Sequence, residues 1–305
     1  MSNDPRYYRF SSYLKDEFGC RVQRVAVDAG FTCPNRDGTL GTGGCVYCDD
    51  SGSRAAYVQP QMSIREQVRA GIERLRPRYK AEKFLVYFQP CTNTYSAADR
   101  LKRVYDEALE HPDVVGMMIG TRADCVESEV LDLLEAYHKR TFVWLELGLQ
   151  SASPTTLRWI RRGHDLATFE KGARAARDRG LRLCAHMIVG LPTDKASDHY
   201  QAADLLNRIG FKGVKIHSLY VSRDAPLGAL YQREPFKLMT RERYVQRACD
   251  ILERPGPDIV IHRLTSDADE RTLLAPKWCL DKNGVLSDIE AELERRDTRQ
   301  GARLL

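Results

Sequence analysis

Seven short runs rich in aliphatic and aromatic residues alternate along this chain with longer helical patterns. The runs are "RVAVDA" (24–29), "KFLVYFQ" (83–89), "VVGMMIG" (114–120), "FVWLELG" (142–148), "LRLCAHMIVG" (181–190), "GVKIHSLY" (213–220) and "DIVIHRL" (258–264). Helices are expected near 63–78, 97–110, 127–139, 166–179, 195–209 and 240–253. Apolar strands alternating with helices of this length specify βαβ units and a parallel sheet covered on both faces. Right-handed crossovers wind such a sheet into a barrel or a doubly wound layer.

The strand endings help decide between the two. "FQPCTNT", "GTRADC", "ELGLQS", "HMIVGLP" and "HSLYVSRDAP" all place polar, Gly or Pro residues just beyond a strand. In a parallel barrel those ends converge on one mouth, where active sites lie. Six core strands and a candidate seventh fall short of the eight that close a barrel. The expected fold is therefore α/β: a partial, open parallel β/α barrel of about six strands with a small C-terminal appendage. Residues 1–265 are expected to form the barrel, and 266–305, with "LLAPKW" and a charged helix, an extension packing on it and ending in a basic tail.

The 305 residues, 43% of them apolar, can bury a full core. The absence of a long apolar run and of a secretory signal predicts a cytoplasmic protein with no membrane partner. In that compartment the nine cysteines are read as reduced thiols, and grouped thiols as metal ligands. The net charge of +5 gathers in "RWIRRGHD", "RAARDRGLR" and "ERRDTRQGARLL". It is compatible with a phosphate-rich partner and equally with solvated helix faces, and the tail reads as a frayed end.

Residues 33–48 read "CPNRDGTLGTGGCVYC", placing Cys33, Cys45 and Cys48 as C-x11-C-x2-C in a glycine-rich loop after the first strand. Structural zinc sites are closed by four ligands, usually short Cys/His pairs. Here a single C-x2-C pair stands with one distant Cys and no adjacent His. A 4Fe-4S cluster held by three cysteines instead leaves one iron open to a small molecule. A zinc knuckle is the other reading of the loop taken alone. Neither a G-x-S-x-G elbow nor a P-loop occurs in "GLQSAS" or "GTGG".

Taken with "TRADC", "ELGLQS", "RRGHD" and "HMIVGLP" in this order, the loop resembles the radical S-adenosylmethionine (SAM) superfamily. The long first spacing, in place of C-x3-C-x2-C, is similar to the branch of YhcC/YtqA-like proteins and the radical SAM domain of the elongator catalytic subunit. The resemblance implies that Cys33, Cys45 and Cys48 hold a 4Fe-4S cluster and that SAM occupies the fourth iron. It further implies reductive cleavage of SAM to a 5'-deoxyadenosyl radical, fed by an electron donor such as flavodoxin or ferredoxin.

On that resemblance Glu146, Gly148 and Gln150 share one face of a strand, where Glu146 and Gln150 can meet ribose hydroxyls or the SAM amino group. Arg162, or the adjacent Arg161, can clamp the SAM carboxylate. His186 is placed at the ribose, and Gly190 and Pro192 at the adenine. The usual Gly-Gly-Glu-like segment is replaced by "FQPCTNTYS", where Gln89, Thr92, Asn93 and Thr94 supply polar groups instead. A lone Glu or His in a strand is also a common satisfied core or rim residue, the alternative for Glu146, His186 and His217. The other cysteines read as apolar fillers, with Cys91 and Cys279 the candidates for further active-site thiols.

The elongator-like relatives act on the wobble uridine of tRNA and carry an added acetyltransferase domain. These 305 residues leave no room for one, so the expected activity is radical modification of a wobble uridine side chain, with the basic segments as RNA contacts and "RYYRF" either a stacking contact or, as is more usual, an anchored N-terminal segment. The alternatives are a small-molecule enzyme similar to the oxygen-independent coproporphyrinogen oxidases, or a non-catalytic metal-binding module.

Overall fold

The computed structural model describes residues 5–49, 54–59 and 61–304. The first helix and strand are α1 (Phe10–Phe18) and β1 (Val22–Val27), followed by α2 (Ile64–Tyr79), β2 (Lys83–Phe88), α3 (Ala98–Ala108), β3 (Val114–Thr121) and α4 (Ser128–His138). Then come β4 (Phe142–Gln150), α5 (Pro154–Trp159), α6 (Leu166–Asp178), β5 (Arg182–Val189), α7 (Ala196–Ile209) and β6 (Gly213–Ser218). The chain ends with β7 (Val221–Ser222), α8 (Pro226–Arg233), α9 (Arg241–Leu252), β8 (Val260–Arg263), β9 (Leu273–Ala275) and α10 (Lys282–Arg295).

Seven parallel strands pair in the order β1-β2-β3-β4-β5-β6-β8, so the candidate seventh strand belongs to the sheet. The end strands β1 and β8 do not pair, which leaves an open half-barrel. Alternation divides each strand between two cores. Val25, Val86, Ile119, Leu145, Leu183 and Ile216 face the outer helices in one large core. Val22, Leu85, Met118, Trp144, Cys184 and Val260 face inward at the barrel floor.

The floor is plugged by α1, which the sequence reading missed. Phe10 and Leu14 enter the inner core, and the Phe10 ring stacks on His262 at 3.9 Å. Tyr8 and Arg9 run along β8, with the Ile261 N–H donating to the Tyr8 carbonyl at 2.8 Å. "RYYRF" is thus a packed floor segment rather than an exposed stacking platform, because its aromatics cover the otherwise open apolar end of the barrel.

After β8 the chain returns over the barrel. β9 pairs antiparallel with β7, and Val285, Ile289 and Leu293 of α10 join the core against α9. The tail beyond it is tied down rather than frayed. Buried Gln300 donates to the carbonyls of Gly256 and Ile259 at 2.6 and 2.7 Å and accepts from the Tyr8 N–H at 2.9 Å. Gln300→Ala leaves these groups unmatched and is expected to cost about 1–3 kcal/mol, read as a lower urea midpoint. Two tail arginines are neutralised locally: Arg296 by Glu292 and Asp250, both at 2.7 Å, and Arg303 by Glu253 at 2.6 Å. Among the described residues no helix is long and apolar enough to cross a membrane.

Candidate cofactor site

The cysteine loop lies over the mouth because β1 delivers it there and hydrogen bonds hold it down. The Cys33 carbonyl accepts from the N–H groups of Arg36 and Asp37 at 2.8 and 3.1 Å, closing a turn. The spacer then wraps Asn35, whose amide donates to the Arg161 carbonyl at 2.7 Å and lies 3.6 Å from the Cys45 sulfur. A side chain at Gly41 would start 2.8 Å from Asn35 Oδ1, which explains the glycine there. The Val46 N–H donates to the Ile160 carbonyl at 3.0 Å, and the Leu227 N–H to the Val46 carbonyl at 2.7 Å. Loop, "RRGHD" segment and α8 therefore form one assembly.

Cys45 is buried and shares a thiol hydrogen bond with Cys48. That bond and the Arg162 guanidinium hold the Cys45 thiol well below its ordinary range, outweighing burial. Thiolate is the metal-binding form. The loop supplies three thiols and no histidine, one ligand short of a closed zinc site, and this donor set fits a cluster with one open iron better.

Arg162 is the arginine at this centre, and Arg161 is exposed. Arg162 donates to the Gly148 carbonyl at 2.6 Å and reaches the Cys45 sulfur at 3.8 Å, while its buried Nε lacks an acceptor. An unmatched guanidinium N–H beside the thiols fits the carboxylate of a ligand. The Arg162 carbonyl accepts from Arg122, whose fork holds Asp124 at 2.7 and 2.9 Å. This is the local role of "TRADC", and the sequence reading did not assign it.

β4 departs from simple alternation. A bulge lies between Gly148 and Gln150, and Gln150 takes φ 69°. Its amide folds back over Gly148, where a Cβ would stand 2.6 Å from Gln150 Nε2 and 2.8 Å from Arg162 Nη2. In the loop after β5, Gly190 has φ 105°, a left-handed conformation suited to glycine. Pro192 is exposed. Ser151 donates to Asp194 at 2.6 Å, and the Thr156 and Thr193 hydroxyls meet at 2.8 Å, fixing the loops after β4 and β5 to each other.

The "FQPCTNT" segment is wound into the backbone. The Asn93 amide donates to the carbonyls of Phe88, Pro90 and Gly120 at 3.1, 2.9 and 2.9 Å. Its Oδ1 is left buried without a donor. Thr94 bonds Thr121 and the Cys125 carbonyl, and the buried Thr92 donates its N–H to the Thr32 carbonyl at 3.2 Å. Gln89, partly buried, receives its place from β1 through the Val27 carbonyl at 3.1 Å. Cys91 is exposed beside this segment, whereas Cys279 is buried against Ser218 at 3.7 Å.

Glu146 is fully buried and accepts from Lys215 Nζ at 2.5 Å and His186 Nε2 at 2.8 Å. Burial favours the neutral acid, yet Lys215 and the two histidines His186 and His262 hold it well below the carboxylate range. Burial in turn pushes Lys215 down to about 8. The His217 ring lies 5.2 Å from His186. Lys215 was missed in the sequence because a lysine inside an apolar strand reads as a rim residue. Its signal was the inward alternation of Lys215 with His217.

The sequence matches the model of the radical SAM superfamily over residues 35–206 and that of its C-terminal domain over 211–295. It is 34% identical over 300 residues to YtqA of Bacillus subtilis, spanning 98% of this chain and 93% of that protein. A shorter match, 28% over 145 residues, covers 46% of this chain and 26% of the tRNA uridine(34) acetyltransferase of Methanocaldococcus jannaschii. In fold the chain is similar to Elp3 of Methanocaldococcus infernus, with a TM-score of 0.68 and 17% identity over 93% of this chain and 64% of that one. With three loop thiols at the mouth of an open parallel half-barrel, the chain belongs to the radical SAM superfamily and is an enzyme whose cofactors are a 4Fe-4S cluster and SAM.

Proposed function

We propose that this enzyme modifies the side chain of the wobble uridine of tRNA. Charge at the mouth carries the reading: Arg158, Arg161, Lys195, Arg223 and Lys237 are all exposed and make no ion pair among the described residues. All five lie on segments that follow the C-terminal ends of β4, β5 and β6. Some basic side chains elsewhere are paired with acids, as Arg296 and Arg303 of the tail are, while others, such as Arg74, Arg103 and Arg243, are exposed without an ion pair among the described residues. Unmatched cations around an active-site mouth suit a polyanion that must present one residue to the interior. The shared sequence with a tRNA uridine(34) acetyltransferase supports the same substrate class.

Cys33, Cys45 and Cys48 would hold the cluster, whose reduction supplies the electron for SAM cleavage to a 5'-deoxyadenosyl radical. Arg162 would use its unmatched Nε on the SAM carboxylate, and its contact with Cys45 offsets thiolate charge. Gln150, with its amide over Gly148, and Gln89 would supply polar contacts from neighbouring strand ends. His186, fixed by Glu146, would meet the ribose, and the Gly190 turn would line the adenine. Thr92 and Asn93 would act by shaping the backbone that faces the cofactor.

Replacing Arg161, Lys195 and Lys237 together by Ala is expected to weaken tRNA binding about tenfold at low salt and to flatten its salt dependence. Filter binding across a salt series measures both. Mass spectrometry of tRNA nucleosides from deletion and wild-type cells tests the substrate itself. An altered wobble uridine is the expected result, and identical nucleosides would remove tRNA as the substrate in favour of a small molecule.

A further inference from the structure

Arg24 lies in the middle of β1, on the face opposite the outer-core residues Val25 and Val27. Its guanidinium sits 5.7 Å from the centre of the Phe10 ring, inside the barrel. Its Nη1 is buried without an acceptor, and Arg24 forms no ion pair among the described residues. A guanidinium with a buried, unmatched N–H group and no counterion is costly to the folded state.

The charges around Arg24 do not neutralise it. Glu146 and Asp267 are the carboxylates that act most strongly on it. Glu146 is engaged by Lys215 and His186, and Asp267 by Arg263 at 2.7 Å and Lys282 at 2.5 Å. Even with Lys282 assigned to solvent, three cations face two carboxylates. Burial and the nearby Arg263 both work against the charge on Arg24. The same interior holds further unmatched polar atoms: both ring nitrogens of His262 and Nε2 of His217. Arg24 as a residue is only partly buried, and β1 is an end strand at the open edge of the half-barrel.

We propose that the barrel interior at Arg24 binds a small anionic group, a carboxylate or a phosphate, carried by the substrate. A guanidinium fork matches either anion with two parallel hydrogen bonds. The unmatched histidine nitrogens offer further donors. The site sits deeper than the cysteine loop, on the floor side of the sheet, so it serves the part of the substrate that enters furthest. Only the assignment of the anion to a substrate rests on the function proposed above; the binding site stands without RNA.

The test is a titration of the reconstituted holoenzyme with sodium acetate and, separately, with inorganic phosphate, ionic strength being held constant with chloride. Melting temperature and tryptophan fluorescence report binding, because the Trp144 ring lies 4.5 Å from His262. Wild type is expected to gain melting temperature saturably, and Arg24→Gln to bind about tenfold more weakly or worse. Without anion, Arg24→Gln is expected to melt above wild type, since the uncompensated charge is gone. A preference for acetate assigns a carboxylate, and a preference for phosphate assigns a phosphate ester. No saturable response in wild type, or equal responses in wild type and variant, overturns the site. Should Arg24→Gln not fold, Arg24→Lys keeps the charge without the fork and must bind more weakly than wild type for the site to stand. A failure of tRNA binding leaves this titration unaffected.

Discussion

Replacing any one of Cys33, Cys45 and Cys48 by Ala is expected to reduce bound iron after anaerobic reconstitution to a small fraction of wild type and to abolish SAM cleavage. On the proposed reading each thiolate would be one of three protein ligands, and the loop holds no fourth cysteine to replace it. The barrel itself should persist, because the loop contributes no strand to the sheet. Far-UV circular dichroism would therefore change little while the charge-transfer absorption disappears. Exposed Cys91 provides the contrast: Cys91→Ala should retain both cluster and cleavage. Full cluster content in a Cys33→Ala protein would mean that the loop does not hold it in the way described.

Glu146→Ala is expected to destabilise the fold by about 3–5 kcal/mol. The substitution strands the Lys215 ammonium, now 2.5 Å from Glu146 Oε2, in an interior that already contains Arg24. It also removes the hydrogen-bond partner that orients His186. Pairing it with Lys215→Met should recover much of the loss, because the apolar replacement leaves no uncompensated charge behind. Urea unfolding of the two single variants and the double variant measures the coupling. A single-variant loss below about 1 kcal/mol, the range of exposed pairs, would show that water reaches this ion pair freely.

Much of this fold is legible in the residue pattern, and the parts that are not share physical causes. Strands such as Phe142–Gln150 and Arg182–Val189 stand out because a parallel sheet covered on both faces needs continuous apolar runs. α1 escaped because "FSSYLKDEF" is short and starts from Arg9, which makes no capping bond, so its apolar stripe shows only against the barrel floor. The antiparallel pair β7 and β9 is too short for any period to register.

The site divides in the same way. That the cysteine loop, "ELGLQS" and "RRGHD" meet at one centre was legible from motif order, whereas the choice between Arg161 and Arg162 was not, and the contacts of Arg162 with Cys45 and Gly148 single it out only in the fold. Asn93 was read as a cofactor donor, yet its amide is taken up by three carbonyls around the cis Gln89–Pro90 bond. No local pattern distinguishes those two uses of an asparagine. The ion pair of Glu146 with Lys215 joins β4 to β6 across β5. Such a pairing depends on register among three strands, which one sequence does not display.

The account rests on three thiols holding a 4Fe-4S cluster with one iron open to SAM. Anaerobic reconstitution, followed by iron analysis and a dithionite-dependent assay for 5'-deoxyadenosine, tests that claim most directly. The prediction is about four irons per chain and 5'-deoxyadenosine formed only when both reductant and SAM are present. A protein that binds one zinc ion in place of the cluster, or that holds the cluster but leaves SAM intact under reduction, would contradict it.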